Sequence, residues 1–232
     1  MHTYPSLTFK RDKALDKEMC LHFWGVKAGG IDFGRGLVTL HPTLKILETL
    51  DKEEKIHFIR DYVDRYYRRN GHILAQFAKT YTLEWRSVEE QFYRAANQIF
   101  PNYPWPKGLY ICYLSIFNSN PRFLENKTFQ MYYRYPYGVK SIVAHEMLHF
   151  IFYDYVEKKF TKEIQQIPSQ KIWILSEVFN NIILSLPEFI RLTEKEPLFY
   201  PDHVAITRKL MKIWNMRDGI DMFLKHCFSR EI

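Results

Sequence analysis

His145 and His149 stand four residues apart in SIVAHEMLHFIFYDYV (141–156), and Glu146 directly follows the first of them. On an α-helix, residues four apart differ by about 40° around the axis, so both imidazoles face one side, one turn apart. Two ring nitrogens at that spacing can close on a single zinc ion at about 2.0–2.1 Å. Glu146 is displaced from the line of the histidines. It is badly placed to ligate and well placed to act as a base on a water beside the metal. With nine His and sixteen Glu in 232 residues, chance alone yields H-E-x-x-H in about one chain in forty of this composition. The five letters therefore need support from their flanks. Ile142, Val143, Ala144, Met147, Leu148, Phe150, Ile151 and Phe152 are all apolar. Two histidines and a carboxylate are costly to bury in such a helix without a partner, and a cation is the simplest partner.

Zinc takes a third protein ligand and leaves a fourth position for water. Asp154 lies about 180° from His145 on a continuous helix, and Glu157 is about 12 Å beyond His149 along the axis. The third ligand must then come from another element. Glu177 is the leading candidate, as the one acidic residue of KIWILSEVFNNIILSL (171–186), a second apolar helix. His203 is the second choice. Asn181 follows Glu177 by four residues and shares its face. Its amide is placed to orient a ligand histidine through the free ring nitrogen, a role for which Asn180 competes.

The elements that must position these groups are legible in outline. Residues 21–41 carry several glycines and short apolar runs and read as short strands and turns. Leu47, Leu50, Ile56, Ile59, Val63 and Tyr66 recur at three- and four-residue steps, which predicts an amphipathic helix, in one piece or in two broken near Asp51, ending at Asn70-Gly71. A further helix is expected over 73–99, bent near Thr82. PNYPWPKG (101–108) is a loop. LYICYLSIF (109–117) and TFQMYYRY (128–135) are the expected strands. The motif helix follows, then the Glu177 helix stopped by Pro187, then two helical segments split near Asp218-Gly219. The sequence thus predicts an α+β fold, mostly helical, with a small sheet ahead of the H-E-x-x-H helix. It is expected as one domain over 1–232, with a mainly helical part over 1–100.

Composition narrows the functions open to the chain. Hydrophobic residues make up 47%, enough for a sizeable core. Cys20, Cys112 and Cys227 are odd in number and far apart, which argues against a disulfide framework or a cysteine-based metal site. No run reaches the roughly 18 apolar residues of a membrane span. The N-terminal stretch lacks the apolar core of a signal peptide, so a cytoplasmic protein is expected. The net charge is +7, but its densest run, RDYVDRYYRRN (60–70), is interrupted by Asp61 and Asp64. That spacing suits the wet face of a helix, and nucleic acid is not the expected partner.

The segments H-E-M-L-H (145–149) and S-E-V-F-N-N (176–181) resemble the zincin metallopeptidases, and among them the thermolysin-like gluzincin group. The resemblance implies a zincin-like fold and a Zn2+ ion held by His145, His149 and Glu177. It also implies that Glu146 acts as general base and that Asn181 supports a ligand histidine. Zincins place a sheet before the active-site helix, and TFQMYYRY would be its edge strand, open to pairing with an extended peptide. A further His or Tyr often holds the oxyanion in such enzymes. His203 and Tyr200 are the candidates here, His203 the stronger. The longer metzincin pattern is absent, since Phe152 and Tyr155 stand where it needs Gly and His. The expected activity is hydrolysis of a peptide or protein substrate. The alternative is a zincin-fold binding or regulatory protein with a narrow proteolytic role or none.

Overall fold

The computed structural model describes residues 4–214 and 218–229. The chain divides into two compact units. One is formed by Ser6–Glu84 and Leu109–Pro136, the other by the residues up to Pro5, Trp85–Gly108 and everything from Tyr137 on.

The first unit is built on a small mixed sheet. Its strands are β1 (Thr8–Arg11), β4 (Ile111–Ser115), β5 (Arg122–Phe123) and β6 (Thr128–Tyr132), in the order β1-β4-β6-β5. β1 and β6 both run parallel to β4, with Thr8 and Thr128 opposite Ile111, while β5 pairs antiparallel with β6. Ile111, Cys112, Leu114 and Ser115 are all buried, the continuous pattern of a strand covered on both faces. A two-residue hairpin, β2 (Lys27–Ala28) and β3 (Ile31–Asp32), lies apart from the sheet. The helices are α1 (Lys13–Phe23), α2 (Phe33–Leu40) and α3 (Lys52–Arg86), and 3-10 turns over Pro42–Glu48 join the last two. Asp12 caps α1 by accepting from the Leu15 amide. His41 bridges Tyr62 Oη at 2.7 Å and the Ile116 carbonyl at 2.8 Å, which ties α3 to the end of β4.

Three expectations are corrected in this unit. The strand TFQMYYRY is not an edge. β4 flanks it on one side, and on the other β5 and the segment before it cover its first half, with the Gln130 amide bonded to the Pro121 carbonyl at 2.8 Å. Tyr133 beyond it packs inward, where Tyr81 Oη donates to its carbonyl at 2.7 Å. The helix expected to stop at Asn70-Gly71 runs on without interruption to Arg86. Ile59, Val63, Leu74 and Tyr81 are all buried along it, and a continuous buried stripe outweighs the propensity cost of one glycine, about 1 kcal/mol. Residues 21–41, read as short strands and turns, keep that form over 24–32, with β2 and β3, but begin with the end of α1 and close with the whole of α2.

The second unit is helical. α4 (Glu89–Ile99), α5 (Val139–Lys159), α6 (Thr161–Ile164), α7 (Ser169–Leu184), α8 (Pro187–Thr193), α9 (Val204–Met211) and α10 (Gly219–Ser229) follow in order. α5 carries the histidine motif, and its residues are buried around most of its circumference, as in a helix at the centre of a core. It starts after Gly138, whose φ of 81° suits glycine. α7 packs against α5 and α9. Phe179 of α7 meets Phe152 of α5 with ring centroids 4.9 Å apart, and Phe100 and Phe223 at 5.8 and 6.1 Å. Pro187 opens α8, a position where its missing N–H costs nothing. The molecule is mostly helical with a small mixed sheet, in keeping with an α+β class. Among the described residues no helix is long and apolar enough to cross a membrane.

Candidate metal centre

The helical spacing of His145 and His149 brings their rings together on one face of α5, and Nε2 of each lies 3.0 Å from Nε2 of the other. α7 delivers Glu177 to the same point. Its Oε2 is 3.2 Å from His145 Nε2, and its Oε1 is 3.4 Å from His149 Nε2. One ligand atom from each residue lies within 4.8 Å of the others. Donors that share a tetrahedral ion at about 2.0–2.1 Å are separated by about 3.3 Å. The observed separations bracket that value, so the three side chains need little movement to hold a cation. His149 is fully buried and Glu177 is 1% exposed, whereas the His145 side chain keeps 18% of its surface in solvent. The group therefore opens to water on the His145 side. Glu146, next to it, is 3% exposed. A divalent cation held here would supply positive charge beside two carboxylates in an apolar setting. The donor set, two imidazoles and one carboxylate, fits a metal ion.

Hydrogen bonds fasten α7 to α5 beside the cluster. Asn180 is fully buried, and its Nδ2 donates to the His145 carbonyl at 2.9 Å. In an α-helix that carbonyl also accepts from the amide of residue 149. The Asn180 amide thus holds the peptide unit that links both histidines. Tyr153 lies one turn beyond His149 and donates through Oη to Ser176 Oγ at 3.0 Å. The Ser176 hydroxyl itself donates to the Trp173 carbonyl at 2.7 Å. Asn181 is buried, but neither atom of its amide has a hydrogen-bond partner among the described residues. The amide that reaches the motif helix is Asn180, and it meets the backbone rather than a ring nitrogen.

His203 is buried and lies outside the three-residue group. It packs against Trp173 and Tyr200, with ring centroids 5.0 and 5.3 Å away. Burial lowers its pKa below the ordinary histidine value, and the nearby Glu177 charge opposes that shift. The ring is therefore neutral near pH 7 and sits within electrostatic reach of the Glu177 carboxylate. Its Nδ1 has no hydrogen-bond partner among the described residues. Asp154, set aside on helical geometry, accepts from Tyr103 Oη at 2.6 Å and pairs with Lys158 at 2.8 Å, away from the cluster.

Sequence reasoning did not single out Tyr153 or Ser176. The four-residue step from His149 to Tyr153 was the available signal, since it puts both on one face of α5. Comparison with known protein families, with curated proteins and with solved structures finds no match for this chain.

Proposed function

We propose that this chain is a zinc-dependent metallopeptidase of the zincin type. The observation that carries the reading is the convergence of two Nε2 atoms and a carboxylate, 3.0 to 3.4 Å apart, beside a buried glutamate. His145, His149 and Glu177 would hold the ion. Bound there, zinc supplies Lewis acidity to the scissile carbonyl and lowers the pKa of water. Glu146 takes the proton from the attacking water and returns it to the leaving amine. His203 is assigned the hydrogen bond to the carbonyl oxygen as negative charge develops on it. A neutral imidazole has one N–H to give for that purpose. Asn180 keeps the histidines in register with Glu177. The substrate is a peptide or protein chain, entering from the side where His145 meets solvent.

The test combines elemental analysis with a peptide-library digest. The wild type is expected to carry about one zinc per chain, with His149→Ala and Glu177→Ala losing it. Glu146→Gln should retain zinc and lose about 10²- to 10⁴-fold in cleavage rate. No zinc in the wild type after reconstitution would end the proposal. Zinc without cleavage of any library member would leave the alternative, a zincin-like binding protein.

A further inference from the structure

We infer that the sheet-bearing unit carries an anion site for a phosphate group, in the cavity where the end of β1 and the start of α1 meet α3. The cavity has a volume of about 380 Å³ and is lined by Arg11, Lys13, Asp64, Tyr67, Arg68 and Gly71. That is the small end of the range for small-molecule sites. Its α3 residues fall at i, i+3, i+4 and i+7, so one helix face forms the wall. The charges on the wall do not balance. Asp64 is its one carboxylate, and Lys13 and Lys17 both contact it, at 2.7 and 2.9 Å. Those two lysines hold the Asp64 carboxyl well below its ordinary value, at about 2, so it stays ionised and offsets a single positive charge. Arg11, Lys13 and Arg68 are the cations that line the cavity, which leaves its wall with an excess of two positive charges.

Two of these cations are also held in place. The Arg11 guanidinium donates through one Nη to the Gly71 carbonyl, leaving its other N–H groups free of that contact. Lys13 is anchored by Asp64. Tyr67 gives its hydroxyl to Asp16 and competes for none of them. Arg68 is exposed and has no ion pair among the described residues. Two guanidinium forks and a fixed ammonium around one cavity match the several oxygens and double charge of a phosphate better than a lone carboxylate. A Cβ at Gly71 would lie 3.6 Å from the Arg11 Nη1, an ordinary contact, so the helix backbone itself forms the floor of the site beside the guanidinium.

The experiment is calorimetric titration of the full chain at constant ionic strength, with inorganic phosphate in one arm and O-phosphoserine, a phosphate monoester, in the other. Saturable binding is expected in at least one arm. Binding of the monoester alone would identify an esterified phosphate as the ligand, and equal binding of both would identify the free ion as sufficient. Arg68→Met should weaken binding by about tenfold and Arg11→Met by more. Arg69→Met, on the same helix but outside the cavity, should leave it unchanged. Arg11 also braces Gly71, so the decisive variant is the exposed Arg68. Absence of heat in both arms, or equal weakening by Arg69→Met and Arg68→Met, overturns the inference. The outcome does not depend on the metal reading, because none of the cavity residues is among the three donors.

Discussion

Asn180 makes one hydrogen bond beside the candidate metal centre, yet that bond reaches both histidines, since the His145 carbonyl also accepts from the His149 amide. Removing it should loosen the cluster without removing a ligand. Asn180→Ala is expected to weaken zinc affinity by about tenfold, the usual cost of losing a supporting partner. It should also alter the visible spectrum of the cobalt-substituted protein, which a purely packing role would leave alone. Unchanged affinity and spectrum would show that the helix pair holds its geometry without the amide. The three clustered donors were singled out in the sequence, whereas Asn180 appeared there only as a competitor of Asn181. His145, His149 and Glu146 are related by helical spacing, which sequence fixes to within a few degrees. Glu177 stood out as the lone acid of an apolar helix. Choosing between Asn180 and Asn181 depends on how α7 is rotated against α5. That rotation is set by the packing of Phe179 on Phe152, a contact between helices that no local pattern encodes.

Among the elements, the join between α1 and the sheet has a titratable group at its centre. Asp16 is fully buried, and Ser115, Tyr67, Gln130 and the Ile116 amide all donate to its carboxylate. Burial raises its pKa from 3.8 to about 6 even so, with the four donors pulling the other way. The folded chain therefore keeps a proton that the unfolded chain releases, and stability from this group is fully present below about pH 4. It declines as the pH rises through about 6, by about 3 kcal/mol in all. Urea unfolding between pH 4 and 7 should show this slope in the wild type and lose it in Asp16→Asn. An equal slope in both proteins would assign the effect to another group. Gly71→Ala should act in the opposite sense. The space at that position is free to 3.6 Å and the backbone is helical, so a gain of about 0.5–1 kcal/mol is expected in the same measurement. The sequence misled at this glycine because local propensity was given more weight than the buried stripe continuing through Leu74 and Tyr81. It also hid β1. TFKR is mostly solvent-exposed and carries none of the alternation that marks a half-buried strand.

At the scale of the molecule, the two proposed ligands belong to different compact units, the metal to the helical one and the phosphate to the one with the sheet. The coarse class was readable from the order of periodic segments, since helical periods and β-branched runs report local geometry directly. The division into units was not, because the sheet-bearing unit is assembled from 6–84 and 109–136 with α4 lying between them in sequence. This division predicts where metal removal will be felt. A ligand that binds only the folded state stabilises it by about 4 kcal/mol at a thousandfold excess over its Kd. That energy enters through α5 and α7, which carry all three donors. Stripping zinc with a chelator should therefore speed hydrogen exchange in the central turns of α5 and α7 by up to about a thousandfold. The amides of β4 and β6, which are bonded within their own sheet, should exchange at unchanged rates. Acceleration spread evenly over both units would mean that the ion governs the folding of the entire chain. No acceleration in α5 after verified metal loss would mean that the helix pair stands on its apolar packing alone, and that the three donors are gathered by the fold rather than by the cation.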